Sequence, residues 1–193
     1  MSNHAQPPHG AGKSSFDLID PEKLFPTLHL KPGEVVLDLG CGQGRYTLPL
    51  ASLVGPQGMV YGADLWEEGL SMLTQKAQEQ GLTNIHTLLA DASQPLPLPD
   101  GRVDLLFLAT VLHDLAEAGQ AQAALAEMAR LVKPGGRLAV LEFKKIEGPP
   151  GPPLSIRLSP EDVVALLSPH GFTFGQITDL SPHIYLMMFR KQP

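Results

Sequence analysis

The chain has a single cysteine, Cys41, in 193 residues, so it can hold neither an internal disulfide nor a multi-cysteine zinc or iron–sulfur centre. Basic residues are the scarcer charge, 14 Lys and Arg against 20 Asp and Glu. The net charge of -6 argues against a surface built for the phosphates of nucleic acid or an anionic membrane. No uninterrupted apolar run is long enough to cross a bilayer, and no basic, apolar and small-residue signal pattern opens the chain. These absences predict a soluble, cytoplasmic protein with no membrane insertion. His4 and His9 stand without partners that could complete a metal site, so no metal is predicted.

What is present is a 43% hydrophobic share, sufficient for a full core, with 19 Gly and 19 Pro that stay below the range of low-complexity disorder. Residues 1–15 carry almost no large apolar side chains and read as a disordered tail. Residues 16–193 read as one domain of alternating short β-rich runs and amphipathic stretches. Asp20, Pro21 and Glu22 start a short helix to about Leu30. Strands are predicted at 35–39, 59–63, 85–89, 103–109, 137–143, 172–179 and 184–190. Helices are predicted over about 45–53, from Trp66 to a stop at Gly81, along one stripe from Leu115 to Val132, and from Ser159 to before Gly171. Lys133 to Gly136 reads as a stop and turn. Only four residues separate the last two strands, too few for a crossover, so that pair must be an antiparallel hairpin.

The fold class that follows is α/β: a Rossmann-like, doubly wound, mostly parallel seven-stranded sheet with an antiparallel C-terminal hairpin. Ligands of such sheets bind beyond the C-terminal strand ends. On that rim the first βα turn reads Asp38, Leu39, Gly40, Cys41, Gly42, Gln43, Gly44. The alternating glycines allow a tight turn and close backbone approach, and the helix that follows offers N–H groups to an anionic group. Asp64 ends the second strand at about the distance where an acidic side chain accepts from ribose hydroxyls. Arg45 occupies the place of the third fingerprint glycine, and no Lys-Ser/Thr pair follows the loop, so pyrophosphate ligands are disfavoured. Asp38 suits instead a ligand that carries an ammonium group.

The succession VVLDLGCGQG (35–44), VYGADLW (60–66), LLADAS (88–93), VDLLFLATVLHDL (103–115) and RLVKPGGRLAVLEF (130–143) resembles the class I S-adenosylmethionine-dependent methyltransferases, in detail the small members of the ubiquinone/menaquinone-biosynthesis type. The resemblance implies S-adenosyl-L-methionine as cofactor, S-adenosyl-L-homocysteine as its product, and a small-molecule methyl acceptor. It implies that Gly40, Gly42 and Gly44 approach the methionine part and ribose, with Cys41 lining the loop and Asp38 placing the amino group. Asp64 would take the ribose hydroxyls, with Leu65 and Trp66 bordering the adenine. Asp91 would accept from the adenine amino group, the Ala92 N–H would meet a ring nitrogen, and the Ala109 carbonyl would lie near the methionine ammonium. Cys41 in a glycine loop reads as packing rather than as a nucleophile.

On the acceptor side, His113 follows the fourth strand where relatives direct a side chain toward the acceptor, and its imidazole titrates in a useful range, so it is the candidate catalytic base. Wall-lining or helix-capping is the alternative for His113, and Asp114 reads as an N-cap. Lys144, Lys145 and the 148–153 Gly/Pro segment form either a fixed wall or a linker. His183 and Tyr185 read as edge packing or pocket lining, and Arg157 as a solvated side chain or a rim cation for an acidic acceptor. A nicotinamide-dependent oxidoreductase and a non-catalytic adenosine-ligand-binding protein are the competing functions. A monomer and a homodimer are both compatible with the sequence.

Overall fold

The computed structural model describes residues 10–193. Strands β1 (Val35–Leu39), β2 (Met59–Asp64), β3 (Ile85–Leu89), β4 (Val103–Ala109), β5 (Val132–Phe143), β6 (Phe172–Asp179) and β7 (Ile184–Lys191) form one sheet in the order β3-β2-β1-β4-β5-β7-β6. The five strands β1 to β5 pair in parallel, while β7 is antiparallel to both β5 and β6. The strand order reverses between β1 and β4, and the site forms there, as expected of an open parallel sheet.

Both faces of the central strands are buried, which is why they read as nearly continuous apolar runs, broken by single acids such as Asp38, Asp104 and Glu142. Strict period-two alternation sorts their side chains. Leu37, Leu39, Leu106, Leu108, Leu138 and Val140 face helices α4 (Leu112–Glu117), α5 (Ala121–Leu131) and α6 (Pro160–Leu167). Val36, Leu105, Phe107, Ala139 and Leu141 face α1 (Pro21–Thr27) and α2 (Thr47–Val54). Helix α3 (Glu67–Glu79) adds Leu70 and Leu73 around Cys41. Among the described residues, no helix is long and apolar enough to cross a membrane.

The structure departs from the sequence pattern at identifiable points. The stripe read as one helix from Leu115 to Val132 is two, α4 and α5, because Gly119 takes a φ of 70° between them. Lys133 to Gly136 does not precede β5 but interrupts its pairing with β4. Val103 pairs with Val132, and the next partner of β4, Leu105, pairs with Arg137, so these residues form an excursion within one strand. Helix α1 closes at Thr27 rather than Leu30, since the Leu28 and His29 N–H groups turn back onto Phe25 and Pro26 carbonyls. Helix α2 begins at Thr47, two residues after the expected Arg45. The cap at Ser159 is a complete capping box: its hydroxyl accepts from Asp162 N at 3.2 Å and Asp162 accepts from Ser159 N at 2.8 Å.

His4 and His9 lie outside the described residues. The last part of the segment expected to lack order does pack. Ser15 is buried, with its hydroxyl 2.9 Å from Tyr46 Oη and 3.4 Å from Thr110 Oγ1. Two polar partners reached across the rim, one contributed from just before α2 and the other after β4, compensate the entropy that composition alone left uncompensated.

Candidate active site

The site is assembled at the C-terminal ends of β1, β2 and β4. Gly40, Gly42 and Gly44 have φ of 77°, 52° and 81°, the left-handed region open to glycine. At two of them space decides as well: a Cβ on Gly40 would lie 2.4 Å from Val111 Cγ2, and one on Gly44 would lie 2.3 Å from Leu73 Cδ1. The resulting cleft is lined by Gly40, Cys41 and Gly42 on one side, Ala109 and Thr110 on another, and Trp66 with residues 12–15 on a third.

Two carboxylates organise this cleft. Asp64 closes the glycine loop, accepting from Gly42 N at 2.7 Å with one oxygen and from Trp66 N at 2.8 Å with the other. Each oxygen keeps a further lone pair, so the side chain can still receive hydroxyl donors. Asp38 is buried and accepts from Thr47 Oγ1 at 2.6 Å. Burial, offset in part by that bond and reinforced by the negative Asp64, pushes the Asp38 carboxyl up to about 7. An ammonium group beside it would reverse that penalty, whereas a pyrophosphate would meet two acids. This pair of acceptors therefore fits a ligand with an amino group and vicinal hydroxyls to donate.

Cys41 is buried against Leu70 and Leu73, and burial with the charges of Asp38 and Asp64 pushes its thiol far up, which suppresses thiolate chemistry. Trp66 lies over Gly69, where a Cβ would come within 2.3 Å of its ring, and it also faces Gly12. Leu65 beside it is exposed. At the end of β3, Asp91 forms an Asx turn, its Oδ1 accepting from Ser93 N and from Ser93 Oγ, both at 2.8 Å, with Ala92 between them.

The acceptor-side residues sit beyond β4 and β5. His113 is buried, and its Nδ1 lies 2.7 Å from Oε2 of Glu142, a side chain with no exposed surface. Oε1 of the same carboxylate accepts from His113 N at 3.1 Å. A carboxylate only accepts, so Nδ1 carries the proton and Nε2 is left as the ring's second site, 3.5 Å from Asp114 Oδ1. Burial alone would lower the imidazole pKa; the Glu142 hydrogen bond and charge, with Asp114 and Glu117 behind them, outweigh it and hold His113 above its ordinary value.

Several acceptor-side expectations change. Asp114 is not the N-cap: Val111 is, and Asp114 lies inside the first turn of α4. For Tyr185 the packing alternative holds: it is fully buried, its hydroxyl donating to Leu158 O at 2.8 Å, though on β7, an inner strand between β5 and β6. Arg157 is neither solvated nor a rim cation. It is 3% exposed, and its guanidinium donates to carbonyls of the 144–152 loop.

Sequence reasoning passed over Glu142 and Thr110. An acid inside the apolar run of β5 is a signal for Glu142, because a charge there must be paired. Thr110 has φ of 56°, costly for a β-branched residue, and is held by its N–H to Leu141 O at 2.8 Å. No local pattern announces it.

A family model described as a methyltransferase domain matches residues 30–159. The structure superposes on a SAM dependent methyltransferase from Aquifex aeolicus with a TM-score of 0.82 and 33% identity, over 91% of this chain and 92% of that one. The chain belongs to the S-adenosylmethionine-dependent methyltransferase family. Within that family, it is 39% identical over 116 residues to the ubiquinone/menaquinone biosynthesis C-methyltransferase UbiE of Vibrio campbellii, covering 60% of this chain and 43% of that protein. A second UbiE, from Ectopseudomonas mendocina, is 39% identical over 126 residues, 65% of this chain and 46% of that protein. The chain thus spans less than half the length of these curated relatives.

Proposed function

We propose that this chain transfers a methyl group from S-adenosylmethionine to a small-molecule acceptor and leaves S-adenosylhomocysteine. The observation that carries the reading is the pairing of a buried acid, Asp38, with a second acid, Asp64, bonded to the glycine loop. A cofactor with an amino group and a ribose suits those two acids.

When bound, the cofactor supplies a methyl carbon activated by a sulfonium. The chain aligns and shields it. In this reading Asp38 and the Ala109 carbonyl hold the amino group, and Gly40, Gly42 and Gly44 let the backbone come close. Cys41 fills the loop, Asp64 receives the ribose hydroxyls, and Leu65 and Trp66 flank the adenine while Asp91 and Ala92 meet its edge. On the acceptor side of this reading, Glu142 keeps the proton on His113 Nδ1. His113 can then accept a proton at Nε2 from an acceptor that must lose one.

The UbiE relatives are C-methyltransferases of ubiquinone and menaquinone biosynthesis by name, so small acceptors of that kind are the first to test. A cytoplasmic place of work, and a chain acting alone or as a homodimer, complete the proposal. Calorimetric titration with S-adenosylhomocysteine, followed by a mass-spectrometric acceptor screen with isotopically labelled S-adenosylmethionine, tests it. Saturable binding and a labelled product are expected. Absence of binding up to about 1 mM, a free energy of only about -4 kcal/mol, would overturn it. Binding with no labelled product across the screen would favour a non-catalytic ligand-binding protein.

A further inference from the structure

After β5 the chain makes a loop whose main-chain carbonyls converge on one guanidinium. Arg157 Nε donates to Pro152 O at 2.8 Å, Nη1 to Lys144 O at 3.2 Å and Ile146 O at 2.8 Å, and Nη2 to Gly148 O at 2.7 Å and Pro150 O at 3.0 Å. These are alternate residues along the chain, and they use every N–H of the guanidinium. A lysine could not reproduce this planar fan. The buried charge is met by carbonyl dipoles, so the loop is wound around it and cannot open without exposing both.

The loop is also joined to the proton-accepting pair. Arg157 lies over the Phe143 ring at 5.8 Å, and Gly151 lies so close that a Cβ there would be 2.6 Å from Phe143 Cδ1. The Phe143 ring in turn stands edge-on to the His113 ring at 6.5 Å. The short turn Leu154–Ile156 that follows the loop packs against α4, the helix that carries His113.

We propose that Arg157 is the positioning residue of the acceptor side: by gathering alternate carbonyls from Lys144 to Pro152 it sets a permanent wall and, through Phe143, holds the His113 ring in place. The inference rests on the reading that the acceptor is met beside His113. It makes recognition a matter of a wall built before the acceptor arrives rather than a lid that closes over it.

The test uses the full chain and needs no acceptor. In Arg157→Lys, S-adenosylhomocysteine affinity should stay within about twofold, since the residues proposed to hold the cofactor lie at or just after the ends of β1 to β4 and none of them bonds Arg157. Amide hydrogens of residues 144–153 should exchange at least about tenfold faster. The His113 ring signals in 1H–13C NMR should shift, with the titration midpoint moving down toward that of an ordinary imidazole. In Arg157→Ala, added guanidinium at about 20 mM should restore both the exchange protection and the His113 signals, whereas sodium chloride of equal strength should not. If the Arg157 variants fail to fold, Gly151→Ala pushes the same ring from the loop side with the arginine intact, and should displace the same His113 signals. Unchanged His113 signals in a folded variant whose loop exchanges faster would overturn the proposal, as would an unchanged loop. Failure of the wild-type chain to bind S-adenosylhomocysteine would strike the methyltransferase reading instead, independently of the His113 spectra.

Discussion

The two halves of the rim are built by different means. The half proposed to hold the cofactor, at β1 and β2, is made mainly of backbone, glycines in left-handed conformations and an aspartate that bonds two N–H groups, with Asp38 as its one buried acid. The half proposed to meet the acceptor, at β4 and β5, is made of buried charge: a histidine on a carboxylate, and an arginine on carbonyls. A backbone cradle tolerates exchange of most neighbouring side chains but no added Cβ at its glycines. A buried charge tolerates the loss of neither partner, because the remaining one is left desolvated and unpaired.

The sharpest way to break this contrast is to remove one member of the buried pair. Glu142→Ala should cost about 3–5 kcal/mol of stability, measured by urea unfolding at pH 6. The sign of its pH dependence follows from His113. Because the folded pKa is raised, the pair contributes fully below the ordinary value of 6.5, and the contribution is lost as the pH rises through the folded value. Glu142→Gln should flatten that fall, and a fall of equal slope in the variant would show that His113 is not its source.

Asp64→Ala comes next. It should weaken S-adenosylhomocysteine binding about a hundredfold, or about 2.7 kcal/mol, through the lost hydroxyl contacts and the loosened Gly42 turn. Stability should change little, since Asp64 is only half-buried. Calorimetry and thermal melts of the same sample separate the two effects.

Asp38 gives a smaller and purely electrostatic effect. Its carboxyl, at 3.8 ordinarily and about 7 here, favours folding in its neutral form; that contribution is complete below 3.8 and is lost as the pH rises through about 7. An ammonium-bearing ligand needs the ionised form. Affinity for S-adenosylhomocysteine should therefore rise about tenfold between pH 6 and pH 8, with proton release visible as a buffer-dependent heat, and Asp38→Asn should abolish both. A pH-independent affinity in the wild type would remove Asp38 from the amino-group site.

The smallest effect is expected at Cys41. Packed against Leu70 and Leu73, it should resist iodoacetamide in the native chain and react on unfolding, and Cys41→Ala should change cofactor affinity by less than about twofold. Rapid native labelling would contradict its packing role.

The same contrast explains what could be read from the sequence. Runs such as Leu105 to Ala109 give a strand directly, since burial on both faces leaves only apolar residues there. The glycine turn and Asp64 are legible for a related reason: their geometry is imposed within a few residues. Other features depend on contacts between distant segments. The Lys133 to Gly136 excursion exists because β5 regains its partner β4 after it. Ser15 is ordered by Tyr46 and Thr110. Arg157 reads as a surface residue because nothing in a Gly/Pro-rich segment signals that its carbonyls will turn inward together. Glu142 could have been noticed as an acid within an apolar strand, but its partner lies 29 positions away.

The most direct measurement is a calorimetric titration of wild type, Asp64→Ala and Arg157→Lys with S-adenosylhomocysteine under one condition. Wild type and Arg157→Lys should bind alike, while Asp64→Ala should bind about a hundredfold more weakly. No binding by the wild type, or equal weakening by both substitutions, would contradict the account.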